Sequence, residues 1–325
     1  MSKGQSRGKP GSPAGNRSLR MLIALALLAA LAAWAGTETT ATGGTPHTSG
    51  QTPHVSGPGE ITLLPGTVPV DEEVKGAVRQ ALIQAQGVVG TAAYYAISDV
   101  QAAGDWQFVS VVGLEGLDPS MEWNLLDHAS WYGLILLRGE VGGLWAGAVE
   151  GTAAFSRLLA GVPDAVLAGE ARQALDPLQG PVAPASSYRF PWEPGTSMVY
   201  GSLGVHDAGF PSVVGLWKAV DFVSDGNTSV GHAPNRLLAA ASGTLSYICR
   251  DGTSVAVRVG DLLYVHLLDH SGLTIGRTYG PGEEIGPLRP GSFSDRCGWA
   301  SQGGGWFHVH WGFPNTPTFS AGGWT

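Results

Sequence analysis

Basic residues are scarce in most of this 325-residue chain. Five of its 18 Lys and Arg residues precede residue 21, so the rest carries 13 basic against 26 acidic side chains. Binding to phosphates needs clustered Lys and Arg, and an acidic body therefore argues against nucleic acid as a partner. Gly and Pro are abundant instead, at 49 and 21 residues. This composition is typical of short strands, turns and linkers rather than of a helical bundle.

Long apolar runs are also scarce, and one near the N-terminus has the character of an export signal. Residues 21–35 carry no charge and follow a basic segment. The run is short for a bilayer core of about 30 Å and has the length of a signal-peptide core. Cleavage after Ala35 and an uncleaved N-terminal anchor are the two alternatives. Both place the residues after Gly36 outside the cytoplasm, secreted or associated with the cell envelope, because the basic end stays inside.

Cysteine is limited to two residues, Cys249 and Cys297. An exported chain with a single pair is expected to form one disulfide, and two free buried thiols are the alternative. The bridge would close a loop of about 50 residues and contribute on the order of 4 kcal/mol through the entropy of the unfolded chain.

Composition divides the chain into four segments, so the predicted fold class is multi-domain. Residues 1–35 hold the basic stretch and the apolar run. Residues 36–66, rich in Thr, Gly, Pro and Ser, are predicted to be a disordered linker. Residues 67–182 are predicted to form an α+β domain. Residues 183–325 are predicted to form an all-β domain with antiparallel sheet.

The α+β segment combines a helical pattern with alternating strands. Apolar residues at helical spacing predict a helix over residues 70–86. Strands are predicted at 92–97, 106–113 and 131–138, a second helix at 162–175, and the run 142–159 is ambiguous. A helix followed by an antiparallel meander resembles the cystatin-like or pro-peptide-like modules found ahead of secreted enzymes. A pro-region that covers the neighbouring domain is the prediction, with a targeting module and a spacer as alternatives.

The C-terminal segment has a different pattern, of short strands separated by Gly. These strands are predicted at 197–200, 219–223, 239–249, 254–259, 261–268 and 306–313. Six of the nine histidines lie after position 200. His308 and His310 alternate on one predicted strand, so both imidazoles point to the same face, as a metal site requires. Asp221 lies within an apolar strand, where a carboxylate is unfavourable unless it is paired or bound to metal.

Two further histidines are ambiguous when taken alone. His266 is flanked by apolar residues on a predicted buried strand, and a lone histidine there is ordinarily a core residue. His206 lies in a turn bounded by glycine. Other hydrolase classes lack their motifs: there is no HExxH helix for a thermolysin-type site, and no G-x-S-x-G elbow in the C-terminal segment. Asp261 and Asp269 as a glycosidase pair would leave the clustered histidines unexplained.

Taken together, the motifs resemble those of the LasA/lysostaphin-type zinc endopeptidases, the LytM family. The similarity covers residues 190–325 and comprises GSLGVHD at 201–207, VDF at 220–222, LYVHL at 263–267 and HVHW at 308–311. It is nearest to the LasA-like branch. In the commoner branch the first histidine lies four residues before the aspartate, whereas here that position is Trp217. His206 is therefore the candidate for the first ligand, with His232 as a spare.

The resemblance implies a division of roles. His206, Asp221 and His310 would bind Zn²⁺, and His266 and His308 would be the catalytic histidines. Three protein ligands leave a fourth position for water, as a catalytic zinc site needs. Apart from the resemblance, an open groove on a β domain would suit an extended peptide. Tyr264 and Trp306 are candidates to line such a groove, and Tyr200 is a candidate to help stabilise the oxyanion. Core positions are the alternative for these aromatic residues.

The expected function is therefore that of an exported zinc endopeptidase that hydrolyses peptide bonds of bacterial peptidoglycan. A catalytically silent peptidoglycan-binding or regulatory module of the same fold is one alternative. A secreted protease for Gly-rich proteins is the other.

Overall fold

The computed structural model describes residues 61–313, apart from 121–122, 177, 179–187, 197, 201–205, 213–214, 225–235, 291–292 and 301–306. The predicted apolar run at 21–35 lies outside the described residues, as does most of the predicted linker. None of the helices in the described part is both long and apolar enough to cross a membrane. The described residues belong to one compact unit.

The first half of this unit is a five-stranded sheet with strands in chain order. The strands are β1 (Thr62–Leu63), β2 (Tyr94–Ala103), β3 (Trp106–Leu114), β4 (Ala129–Gly139) and β5 (Trp145–Val149). β2 to β5 form an antiparallel meander, and β1 pairs with β2 in parallel. Helix α1 (Glu72–Gln84) lies on the sheet and buries an apolar face of Val74, Val78, Ala81 and Leu82. The predicted helix followed by a meander is thus observed.

The predicted linker ends earlier than expected. Ile61 is 7% exposed and packs in the core beneath α1. Thr62 and Leu63 extend the first sheet as β1. The Thr, Gly and Pro content of residues 36–66 concealed the change to an ordered strand, because the sequence there has too few residues to show an alternating pattern.

Four shorter helices complete the first half. They are α2 (Gln86–Val89), α3 (Leu125–His128), α4 (Ala153–Ala160) and α5 (Gly169–Leu175). The ambiguous run at 142–159 contains both β5 and most of α4. Thr152 caps α4 through a hydrogen bond from Phe155 N to its Oγ1 at 3.1 Å. The helix predicted at 162–175 was too long, since a turn follows Pro163 and α5 starts at Gly169.

The second half is an eight-stranded antiparallel sheet, and the chain as a whole is predominantly β. Its strands are β6 (Met198–Tyr200), β7 (His206–Ser212), β8 (Gly215–Ser224), β10 (Gly243–Asp251), β11 (Ser254–Val259), β12 (Leu262–Leu268), β13 (Thr278–Tyr279) and β17 (His308–Phe313). The order is β13-β10-β11-β12-β17-β8-β6, with β7 also paired to β8. Two small two-stranded sheets pair β9 (Arg236–Leu238) with β14 (Glu284–Pro287), and β15 (Phe293–Asp295) with β16 (Gly298–Ala300).

The two predicted domains share their hydrophobic core. One buried cluster contains Trp106, Leu136 and Phe155 from the first half together with Val220 and Tyr264 from the second. The predicted boundary at residue 182 is therefore a boundary in the chain and not in the packing.

A buried ion pair also joins the halves. Arg258 Nη2 donates to Glu150 Oε1 over 2.6 Å, and the guanidinium lies 5.3 Å from the centre of the Tyr132 ring. The second carboxylate oxygen of Glu150 accepts a hydrogen bond from Leu134 N at 3.0 Å. Both side chains are largely buried, at 16% and 19% exposure. Each charge therefore depends on the other for compensation.

We expect Arg258→Ala to lower the free energy of unfolding by about 3 kcal/mol, because it leaves the Glu150 carboxylate buried without its partner. Urea denaturation measures the loss. The matched control is Lys75→Ala, which removes an exposed pair with Glu72 and should change stability little. Equal losses of stability in the two variants would show that the Arg258–Glu150 pair contributes no more than an exposed ion pair.

Candidate functional site

Three neighbouring strands bring together an aspartate and three histidines from the predicted site. In the sheet β17 lies between β8 and β12. The register pairs His310 with Asp221 on β8 and with Val265 on β12. Asp221, His266, His308 and His310 are all buried, with exposures between 1% and 9%. We call these four residues the histidine cluster.

The Asp221 carboxylate is the centre of the cluster. His310 Nδ1 lies 3.0 Å from its Oδ1, and His308 Nε2 lies 3.1 Å from the same atom. Both imidazoles of β17 therefore reach one oxygen, as the alternation of side chains on a strand predicts. The His266 ring lies 4.7 Å from the His308 ring and 6.2 Å from the His310 ring, measured between centroids.

Two opposing effects set the charge of this cluster. Burial alone raises the pKa of Asp221, but hydrogen bonds and charge interactions with His308 and His310 outweigh it and hold that pKa well below its usual range. Burial lowers the pKa of His266 well below its ordinary value, and the neighbouring His308 and His310 reinforce the effect. The cluster therefore pairs an ionised carboxylate with a neutral His266 imidazole at neutral pH.

His266 reaches the cluster because β12 contains a bulge. Opposite residues on paired strands share a face, so a regular β12 would turn Val265 toward His310 and His266 away. Between Val257 and Val255 of β11, the partner strand advances from Tyr264 to Leu267, which leaves one extra residue in β12. Among the described residues, His266 is the one non-glycine with positive φ, at 74°. The local backbone strain re-aims the imidazole toward His308.

The backbone around His266 is fixed by a residue that the sequence did not suggest. Arg289 N donates to His266 O over 2.8 Å. Its side chain also bonds Asp295, with Nη1 2.8 Å from Oδ2. No motif marks Arg289, because its contribution to His266 comes from a main-chain N–H that any residue but proline could supply.

The predicted disulfide is present between Cys249 and Cys297. Both cysteines are buried in a hydrophobic cluster with Val265, the residue before His266. The bridge thus ties β10 to the β15–β16 hairpin, beside the histidine cluster.

His206 lies on strand β7, where the sequence predicted a turn. Its backbone partner is Ala219, two positions along β8 from Asp221. The predicted turn is not observed, because the segment from His206 to Ser212, including Gly209, forms a strand paired with β8. The position of the His206 side chain is outside the described part of the structure, as is residue 232.

The predicted substrate contacts have different outcomes. Tyr264 is fully buried, and its Oη accepts a hydrogen bond from Ala240 N at 2.9 Å. This corrects the expectation that Tyr264 lines a groove: it is a core residue, because β12 is covered on both faces. Tyr200 lies on β6, with Phe222 as its backbone partner, and its side chain is outside the described part. Trp306 lies outside the described residues.

The cluster contains two of the three predicted zinc donors. A tetrahedral zinc with bonds of about 2.0–2.1 Å separates its ligands by roughly 3.3 Å, close to the 3.0 Å between Asp221 Oδ1 and His310 Nδ1. Carboxylate oxygen and imidazole nitrogen are also ligands that zinc accepts. These two residues fit a zinc site. Within the described residues, no group of three or more His, Cys, Asp and Glu has a metal-binding arrangement. The third predicted donor is His206, whose side chain is outside the described part.

Comparison with known proteins assigns no family. No protein-family description matches the chain, and no curated protein matches it significantly. Among solved structures, a zinc-containing peptidase from Vibrio cholerae is similar over 63% of this chain and 52% of its own length, with 12% identity and a TM-score of 0.23. The chain thus spans about half the length of that structure. A similarity this low carries no argument about fold or function.

We expect His266→Gly to be more stable than His266→Ala by about 1 kcal/mol, because both remove the imidazole but only glycine accepts positive φ without strain. Chemical denaturation of the two variants gives the difference directly. Glycine is ordinarily the less stable residue in a strand, so a more stable alanine variant would show that His266 is not strained.

Proposed function

We propose that this chain is an exported zinc endopeptidase of the LytM type, which hydrolyses peptide bonds of bacterial peptidoglycan. The observation that carries the proposal is the carboxylate of Asp221, held between two alternate histidines of β17 with a third histidine from β12 beside them. Rigid paired strands supply all four residues. This is the arrangement that a preorganised hydrolytic site needs.

His206, Asp221 and His310 would hold the zinc ion. When bound, zinc lowers the pKa of its water toward about 7 and polarises the scissile carbonyl. The register supports this set, because His310 is the direct partner of Asp221 and the backbone of His206 lies beside the same strand.

His266 and His308 would act on the substrate. One imidazole takes a proton from the attacking water and passes it to the leaving amine, and the other stabilises the oxyanion. Their rings lie 4.7 Å apart, so both can reach one peptide bond. The Asp221 carboxylate lies 3.1 Å from His308 Nε2 and orients that imidazole.

Peptidoglycan is proposed as the substrate because of the predicted export of the chain and the proposed zinc endopeptidase site. The apolar run at residues 21–35 after a basic segment supports export. Wall peptides are the extended substrates that an exported zinc endopeptidase would meet outside the cytoplasm.

We also propose that residues 67–182 act as a pro-region through the segment around α3. This helix contacts both β7 and β16, and Leu125 N donates to Arg296 O over 2.7 Å. Leu125 shares a buried cluster with Ala219 and Val265, which lie on the face of the sheet that carries Asp221 and His310. The burial of the histidine cluster supports a cover that must open for substrate.

The test of the enzyme is zinc content and peptidoglycan hydrolysis by the full-length chain. We expect one zinc per chain and release of wall peptides, with both lost in His206→Ala and in Asp221→Ala because each removes a ligand. His47→Ala, in the predicted linker, is the matched control and should change neither.

Three outcomes contradict parts of this proposal. Zinc retained with activity lost in His206→Ala would remove His206 from the ligand set. Zinc without hydrolysis in the wild type would favour the silent binding module. Faster hydrolysis of Gly-rich proteins than of wall peptides would favour the secreted-protease alternative.

The test of the cover is a pair of cavity-forming substitutions. Leu125 and Leu82 are both fully buried, so Leu125→Ala and Leu82→Ala should each lower stability by about 2–5 kcal/mol. We expect only Leu125→Ala to hydrolyse a short wall peptide several-fold faster, because it loosens the segment over the histidine cluster. Rates that stay equal to wild type in both variants would exclude α3 as part of a cover.

A further inference from the structure

Gly298 forms a wall against the His266 imidazole. A Cβ atom at this position would lie 3.3 Å from His266 Cε1 and 2.8 Å from Val265 Cγ1. Gly298 also has φ of 140°, a conformation that L side chains rarely adopt. Both sterics and backbone conformation therefore demand glycine at the point where the β15–β16 hairpin meets the ring.

The hairpin that carries Gly298 is held by a disulfide and by hydrogen bonds that lead to His266. Cys297, the preceding residue, is bonded to Cys249 on β10. Cys297 N donates to Asp295 Oδ1 over 3.0 Å, and Asp295 Oδ2 accepts from Arg289 Nη1 at 2.8 Å. Arg289 in turn donates its main-chain N–H to His266 O. A chain of hydrogen bonds thus connects the hairpin that carries Gly298 to the backbone carbonyl of His266.

We propose that Gly298, held by the Cys249–Cys297 disulfide, is a positioning residue that fixes the His266 imidazole for hydrolysis. The proposal rests on the proposed function and adds to it, since Gly298 would act through His266 and not on the substrate. The extra residue in β12 directs the ring toward His308, and the close approach of Gly298 to Cε1 and Nδ1 restricts the ring in that orientation. A displacement of about 1 Å in such a site can lower the rate roughly 100-fold.

If the chain is exported, the Cys249–Cys297 disulfide is stable. Disulfides persist outside the cytoplasm and are rare inside it. A site whose histidine depends on the bridge would therefore be assembled fully only after export. Cys249 and Cys297 are both buried, so the bond is protected once formed.

The experiment compares Gly298→Ala with Gly252→Ala in the full chain. Gly252 also has positive φ, at 59°, but a Cβ there meets nothing within 4 Å, so this variant carries backbone strain without a collision. The measurements are kcat and KM on wall peptides, the melting temperature, and the His266 Cε1–H signal in histidine-labelled protein. The His266→Ala variant assigns that signal.

We expect Gly298→Ala to move the His266 signal and to lower kcat roughly 10- to 100-fold while KM stays within about twofold. Gly252→Ala should lower the melting temperature but leave the signal and kcat unchanged. An unchanged His266 signal and kcat in Gly298→Ala would overturn the proposal. A change confined to KM would also overturn it, because the wall would then act on substrate binding.

The disulfide is tested by the double variant Cys249→Ala/Cys297→Ala. We expect the His266 signal to broaden or split and kcat to fall, beyond the fall in melting temperature. A lower melting temperature with the signal and kcat retained would limit the bridge to stability and overturn its part in positioning. Absence of hydrolysis in the wild type, with a signal that moves only in Gly298→Ala, would overturn the proposed function and leave the contact between Gly298 and His266 standing.

Discussion

The buried carboxylate of Asp221 constrains the arrangement of the whole second sheet. An ionised carboxylate at 9% exposure is tolerated only with close polar partners. His308 and His310 supply them, both at the same oxygen. This requires β8 and β17 to pair in one register, because a slip of one residue would turn both imidazoles to the opposite face. The polar cluster thus specifies the strand pairing that the apolar residues around it stabilise.

The same pattern explains what the sequence could and could not predict. Strict alternation around His308 and His310 predicts one strand with both rings on one face, and β17 has this arrangement. Tyr264 could not be placed this way: residues 262–265 are a continuous apolar run, which indicates a strand buried on both faces. The expectation of a substrate contact came from its aromatic character, with a core position as the alternative. The structure places its hydroxyl against Ala240 within the core.

The bulge at His266 could not be predicted from the alternation of side chains along the strand. A regular strand would direct His266 away from His310, and no glycine or proline at 265–267 marks the irregularity. Bulges arise from the match between two strands, here β11 and β12, so the sequence of either strand alone does not specify them. Strain at His266 persists because its surroundings determine its conformation: Arg289 N binds the backbone carbonyl, and Gly298 lies against the imidazole.

The shared core limits how a cover could open. Trp106 and Phe155 of the first half pack in one cluster with Val220 and Tyr264 of the second, and the Glu150–Arg258 pair crosses the same interface. Removal of residues 67–182 as a block would expose this apolar surface and leave a buried charge without its partner. Local opening of the segment around α3 would separate only the smaller cluster that contains Leu125, and would leave the Trp106–Tyr264 cluster and the Glu150–Arg258 pair in place. For the proposed pro-region, the shared core therefore favours a hinged cover over one that is released.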